Sequence, residues 1–212
     1  TLAMSSAASD VYKRQSYVVD DADTDGAVTI SITATDLAGN EAAAHTTISG
    51  GSSVTVDKTD PSITTSSIAS SNATNTVAKS GHTITLTIVA DEAIASPTVV
   101  FLSGGAAVAG TVTVAAGDDD DATTWSASYD VDDADTEGAV TISITATDLA
   151  GNEAAAHTTI SAGSVNVDKT LPVVQIDTHP TTPSNSPSVI FQSDKAGNYK
   201  IMNGDTEVVG ST

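Results

Sequence analysis

Residues 138–152 read "GAVTISITATDLAGN", and how this stretch is read decides the fold. Val140, Ile142, Ile144 and Ala146 alternate with Thr141, Ser143, Thr145 and Thr147. That period of two belongs to a strand with one buried face, not to a helix. "DLAGN" then closes the run with Asp, Gly and Asn, residues that form turns through their side-chain acceptors and their tolerance of unusual backbone angles.

Just upstream, residues 132–138 read "DDADTEG", and an earlier copy at 20–26 reads "DDADTDG". In the copy, Asp21, Asp23, Asp25 and Gly26 fill the first half of an EF-hand calcium loop. Its last position would need a bidentate glutamate and falls on Ile32, and a strand pattern follows where a helix should. The EF-hand is rejected, and the stretch is read as an acidic loop feeding a strand.

The copying is extensive. Residues 16–49 recur at 128–161 with changes only at Val18/Asp130 and Asp25/Glu137, and "VDKT" follows both, at 56–59 and 167–170. A period of about 110 residues is too long for a solenoid turn and suits a whole domain on a short linker. The chain therefore divides into the back part of one repeat (16–58), a complete repeat (59–169) and the front of a divergent third (170–212). Residues 1–15 stand apart: "DVYKRQ" has no counterpart and resembles translated adapter sequence, so no function is read from it. Within the complete repeat, alternation marks strands near residues 62–68, 82–90, 97–102, 108–115, 125–131, 139–148 and 157–167. No segment has helical periodicity. Seven short strands between Gly, Ser and Asp turns predict an all-β fold of tandem immunoglobulin-like antiparallel sandwiches.

Composition narrows the partners. Seven Lys and Arg face 27 Asp and Glu, for a formal charge of −20, which argues against nucleic acid and anionic membranes and leaves self-repulsion for bound cations to relieve. Cysteine is absent, which removes disulfides and thiol chemistry. No apolar run approaches a membrane span, and the chain reads as a fragment of something longer. The four histidines form no metal pattern, and no Ser–His–Asp set, carboxylate pair or phosphate loop suggests an enzyme.

"ITATDLAGNEA", followed by "VDKT" and a proline two residues on, resembles the tandem bacterial immunoglobulin-like repeats of very large secreted or cell-surface adhesins. The resemblance covers residues 16–169; beyond Thr170 it is one of style only. It implies an extracellular, calcium-stiffened rod that carries binding domains away from the cell. Its partners would be neighbouring repeats of the same chain and an adhesion target bound by other domains. The alternative is a module that itself binds glycan or protein, although Trp125 and Tyr129 fall on the core-facing register.

In such a sandwich the turns near residues 91–92 and 148–152 face the incoming linker at 57–61, and the 20–25 loop of the preceding repeat faces it from the other side. Ca²⁺ takes six to eight oxygens in flexible geometry, Mg²⁺ demands a tighter octahedron, and zinc prefers Cys or His. Calcium is therefore expected at the linker, on Asp57, Asp91, Glu92, Asp148 and Asn152, with Asp21 or Asp23 contributing. Asp168 is the equivalent for the next linker, with Asp132, Asp133 and Asp135 on one side and Asp194 on the other. "GDDDDA" at 117–122 reads as a solvated loop, since four adjacent carboxylates repel in any fixed geometry.

Overall fold

The computed structural model describes residues 14–51, 53–117, 122–178, 181 and 188–207, and every regular element among them is a β-strand. The chain divides into two units, residues 1–167 and 168–212. The first carries β1 (Gly26–Ala27), β2 (Thr55–Val56), β3 (Ile63–Ser70), β4 (Val77–Ala78), β5 (Thr83–Ala90) and β6 (Thr98–Ser103). It continues with β7 (Ala106–Ala107), β8 (Thr113–Ala116), β9 (Thr124–Asp130), β10 (Gly138–Thr145) and β11 (Asn166–Val167). The second carries β12 (Val174–Thr178), β13 (Ile190–Ser193), β14 (Met202–Asn203) and β15 (Thr206–Glu207).

Two sheets make up the complete repeat, one in the order β3-β5-β9-β8 and one in the order β4-β11-β10-β6-β7. All strand pairings are antiparallel except β4 with β11, and the single bridge between Ser67 and Ala162 is parallel as well. The alternation does what its period requires. Ile84, Leu86 and Ile88 of β5, with Ala127 and Tyr129 of β9, share one core with Phe101 of β6 and Val140, Ile142 and Ile144 of β10. Burying each large side chain stabilises by about 1.5–3 kcal/mol. A one-residue slip would turn a whole row of them to water, so these residues set the register. Phe101 and Tyr129 meet at 4.9 Å between ring centroids, tying the two sheets together at the centre.

Two of the expected strands are shorter than the alternation predicts, and a glycine at a close backbone approach precedes each. The segment at 157–167 pairs by single bridges at His157 and Ala162 before β11 begins. Gly163 interrupts it with φ +78°, where a Cβ would lie 2.2 Å from the Ile68 carbonyl oxygen. Gly110 likewise passes so close to Asp130 that a Cβ would lie 2.5 Å from its carbonyl oxygen, and β8 starts only at Thr113. β4 and β7, two residues each, are too short to leave a periodic signal.

The repeat provides an internal control on context. The same letters, "GAVTISIT", form the eight-residue β10 at 138–145 but only the two-residue β1 at 26–27. β10 lies beside β6, registered from Val140 opposite Ser103 to Thr145 opposite Thr98; among the described residues the earlier copy has only β2 as its strand neighbour. Ile142 and Ile144 are accordingly buried, whereas Ile30 and Ile32 are exposed. Local propensity makes the segment extended; a neighbouring strand makes it a sheet. In the second unit, Val174 sits opposite Ser193, the counterpart of Ile63 opposite Ala90 in the first. No helix among the described residues is long and apolar enough to cross a membrane.

Candidate metal centre

Three carboxylates meet where the linker enters the complete repeat. Asp57 comes from the linker after β2, Glu92 from the turn after β5, and Asp148 from the turn after β10. Each contributes one oxygen, and these oxygens all lie within 4.8 Å of one another. Oxygens on opposite sides of one Ca²⁺ stand about 4.6–5.2 Å apart, twice the usual bond length. The three are close enough together to be ligands of a single ion of that size, and they contain no nitrogen or sulfur donor that would favour zinc.

Hydrogen bonds place Asp57, Asp148 and the turn that carries Glu92. The Asp148 Oδ1 accepts from the backbone N–H of Gly151 (2.6 Å) and of Asn152 (2.8 Å), and Oδ2 accepts from Asn152 Nδ2 (2.7 Å). The turn is local, because Asp36 accepts from the backbone and side chain of Asn40 in the same way, at 2.8 Å each. Asn152 Nδ2 also donates to the Asp57 carbonyl at 3.2 Å, which ties the linker to the turn. Asp57 Oδ1 accepts from Thr59 N–H at 3.1 Å. Asp91 accepts from both the N–H and the hydroxyl of Ser62 at 2.8 Å, and its own N–H donates to the Ser62 carbonyl at 3.0 Å. Asp91 thereby fixes the turn that presents Glu92. Asp91 and Asn152 hold the linker and the two acidic turns together, and the three converging carboxylates are Asp57, Glu92 and Asp148.

The electrostatics follow from this crowding. Burial, then the charges of Asp57, Asp148 and Asp91, push the Glu92 carboxyl above its ordinary value. Burial pushes Asp148 up as well, but the side chain and backbone of Asn152 and the Gly151 N–H outweigh it and hold that carboxyl below the usual range. The Ser62 backbone and hydroxyl hold Asp91 down in the same manner. No lysine or arginine among the described residues pairs with Asp57, Glu92 or Asp148. The cluster thus gathers three carboxylates with no cationic side chain paired to them among the described residues.

The other acidic residues singled out in the sequence are placed differently. In the 20–25 loop the Lys58 ammonium donates to the carbonyls of Asp21 (2.9 Å) and Asp23. Asp23's carboxylate accepts from Asp20 N–H at 2.6 Å and from the Tyr17 hydroxyl at 2.8 Å, and it sits below the usual carboxylate range for those two reasons, in that order. Asp25 accepts from Lys58 N–H at 3.1 Å and from the Thr59 hydroxyl at 2.9 Å. "DADTDG" is thus a lysine clamp on the linker. In the later copy Asp135 turns inward and is buried, accepting from Asp132 N–H at 2.9 Å and Ala109 N–H at 2.7 Å, while Asp133 is exposed. Asp168 accepts from the Lys195 ammonium at 2.5 Å, and Asp194 accepts from Val173 N–H at 2.7 Å. Residues 118–121 of "GDDDDA" lie outside the described residues.

Lys58 and Lys195 are the two residues that a reading for acidic ligands passes over. Lys58 stands inside the "VDKT" signature, and Lys195 follows Asp194 as Glu92 follows Asp91. His157 is also accounted for: its Nε2 lies 3.3 Å from the hydroxyl of Ser66, a fully buried serine that joins β3 to the 157–162 segment. Comparison with family models, with curated proteins and with solved structures finds no match to this chain.

Proposed function

We propose that the chain is a run of immunoglobulin-like extender repeats from a bacterial surface or secreted adhesin, with calcium at the linker stiffening the joint between successive repeats. The observation that carries this reading is the convergence of Asp57, Glu92 and Asp148 from three separate segments, one of them the linker itself. An ion held there ties the linker to two turns of the following repeat. Asp57, Glu92 and Asp148 would be its carboxylate ligands, and Asn152 would keep Asp148 and the Asp57 carbonyl in register.

The strand order supports the immunoglobulin-like assignment. Taking the strands of the complete repeat as A to G, β3-β5-β9-β8 is the order A-B-E-D, and β11-β10-β6 is G-F-C. The formal charge of −20 supports cations as partners. Against a glycan- or protein-binding module stands the fate of two aromatics of the complete repeat: Tyr129 is buried and Trp125 is packed against the core.

Calcium that binds only the aligned joint stabilises that alignment by RT ln(1 + [Ca²⁺]/Kd), about 2.7 kcal/mol at a hundredfold excess over Kd. Small-angle scattering and thermal melting of the full chain, in calcium and then in chelator, test the reading. Loss of calcium is expected to broaden the distance distribution and lower the first melting transition. Identical scattering and melting in both conditions would leave a passive spacer and sink the calcium joint.

A further inference from the structure

We propose that the linker at Asp168 carries its own counter-ion: Lys195 supplies the positive charge that the linker at Asp57 takes from a metal, so this second joint is indifferent to calcium. The inference rests on the calcium reading of the first linker for its contrast, and on the geometry of the second unit for its content.

The two linkers share the contacts that hold the linker aspartate and the turn aspartate, although among the described residues Asp148, Asn152 and the Ser62 hydroxyl act at the first alone. Thr59 N–H donates to Asp57 Oδ1 at 3.1 Å, and Thr170 N–H donates to Asp168 Oδ1 at 3.1 Å. Ser62 N–H donates to Asp91 Oδ1 at 2.8 Å, and Val173 N–H donates to Asp194 Oδ1 at 2.7 Å. The strands that flank these contacts pair in the same register, Ile63 opposite Ala90 and Val174 opposite Ser193. Backbone, linker aspartate and turn aspartate therefore superpose in role. At the next position the first linker meets Glu92, which adds a negative charge, and the second meets Lys195, which removes one.

Lys195 uses that position as a cation would. Its ammonium lies 2.5 Å from Asp168 Oδ1 and 2.6 Å from the Thr170 carbonyl oxygen, so it is held by one carboxylate and one backbone carbonyl of the linker. Those are the two donor types that calcium favours. An ammonium seated there satisfies both acceptors and repels any second cation, whereas Glu92 leaves its cluster short of positive charge. At this position the first linker gains a negative charge and the second a positive one, so the aspartate of the second is neutralised from within its own unit.

The full chain carrying Glu92→Lys, beside Glu92→Gln, gives the test, with melting followed in calcium and in chelator and calcium binding followed by calorimetry. Glu92→Lys is expected to lose calcium binding at the first linker. In chelator it should melt above both wild type and Glu92→Gln, by about 2 °C or more over the latter, because it adds a pairing and not only the loss of a charge. A Glu92→Lys chain that melts no higher than Glu92→Gln in chelator would overturn the counter-ion role. If instead wild type neither binds calcium nor responds to it, the reading of the first linker falls, and the ranking of the variants in chelator still decides the role of the lysine.

Lys195→Met provides an arm that leaves the first repeat untouched. Burial aside, the Lys195 hydrogen bond and charge hold the Asp168 carboxyl below its usual range. Carboxyl NMR should show Asp168 titrating at higher pH in Lys195→Met than in wild type, and calcium should leave the wild-type Asp168 and Lys195 signals in place. An unchanged Asp168 titration, or a saturable calcium shift at those signals, would contradict the inference.

Discussion

Neutralising Glu92 should act in opposite senses with and without metal. The carboxylate oxygens of Asp57, Glu92 and Asp148 lie within 4.8 Å of one another, and two unit charges at that separation repel by about 1 kcal/mol in the dielectric of water. Glu92 is half-exposed, so the aqueous figure is the relevant one, and two such pairs come to about 2 kcal/mol before salt screening. With screening, Glu92→Gln should stabilise the chelated protein by about 1 kcal/mol, a rise of about 2–4 °C in melting temperature. In calcium the same change removes one of three carboxylates. If binding weakens tenfold, the stabilisation by calcium at a hundredfold excess falls from about 2.7 to about 1.4 kcal/mol. Trp125, the only tryptophan, reports both conditions: its indole N–H donates to the Ala122 carbonyl at 3.0 Å, and its ring packs against Ala90, Ile94 and Ala146 beneath the two acidic turns. The expected result is a higher melt in chelator and a calcium response cut by half or more. Equal shifts in both conditions would refute the electrostatic argument.

Further expectations concern pH, the clamp and the core. Glu92 is raised on folding, so its charge costs stability above its folded pKa; in chelator, lowering pH through that value toward the ordinary one should raise the melting temperature. Asp148 and Asp91 are lowered, so their contribution is present above their unfolded values and is lost as pH falls through their folded ones; further acid should reverse the gain. In calcium the melt should only fall with acid, since protons compete with the ion. Lys58→Met removes the clamp on Asp21 and Asp23 and should cost about 1 kcal/mol with or without calcium, seen as faster amide exchange in residues 20–25. Tyr129→Phe deletes a buried hydroxyl with no hydrogen-bond partner and should leave chemical-denaturation stability unchanged or raise it by up to about 1 kcal/mol.

The strand faces were legible because a period of two leaves little freedom once Ile84, Leu86, Ile88, Val140, Ile142 and Ile144 must be buried. The "DLAGN" turn was legible because its bonds are local, as the repeat at Asp36 shows. Convergence of Asp57, Glu92 and Asp148 needed a topology as well, and strand counting supplied one good enough to bring three distant segments to one end. What stayed hidden depended on partners. Ser62 engages Asp91, Asn152 Nδ2 donates to the Asp57 carbonyl, and those pairings exist only once the linker is docked. In the loop at 20–25 the carboxylates are conspicuous, while the lysine that grips its carbonyls lies more than thirty residues further along the chain. Lys195 could have been found by aligning "SDKAG" on "ADEAI", since a reversal of charge at one repeat position is a sequence signal.

An amide NMR titration of the full chain with calcium tests the joint most directly. Signals of Asp57, Glu92, Gly151 and Asn152 should shift together and saturate at one ion, while those of residues 20–25 and of Asp168 and Lys195 hold still. Small, unsaturating shifts spread over every acidic loop would mean diffuse counter-ions and no joint.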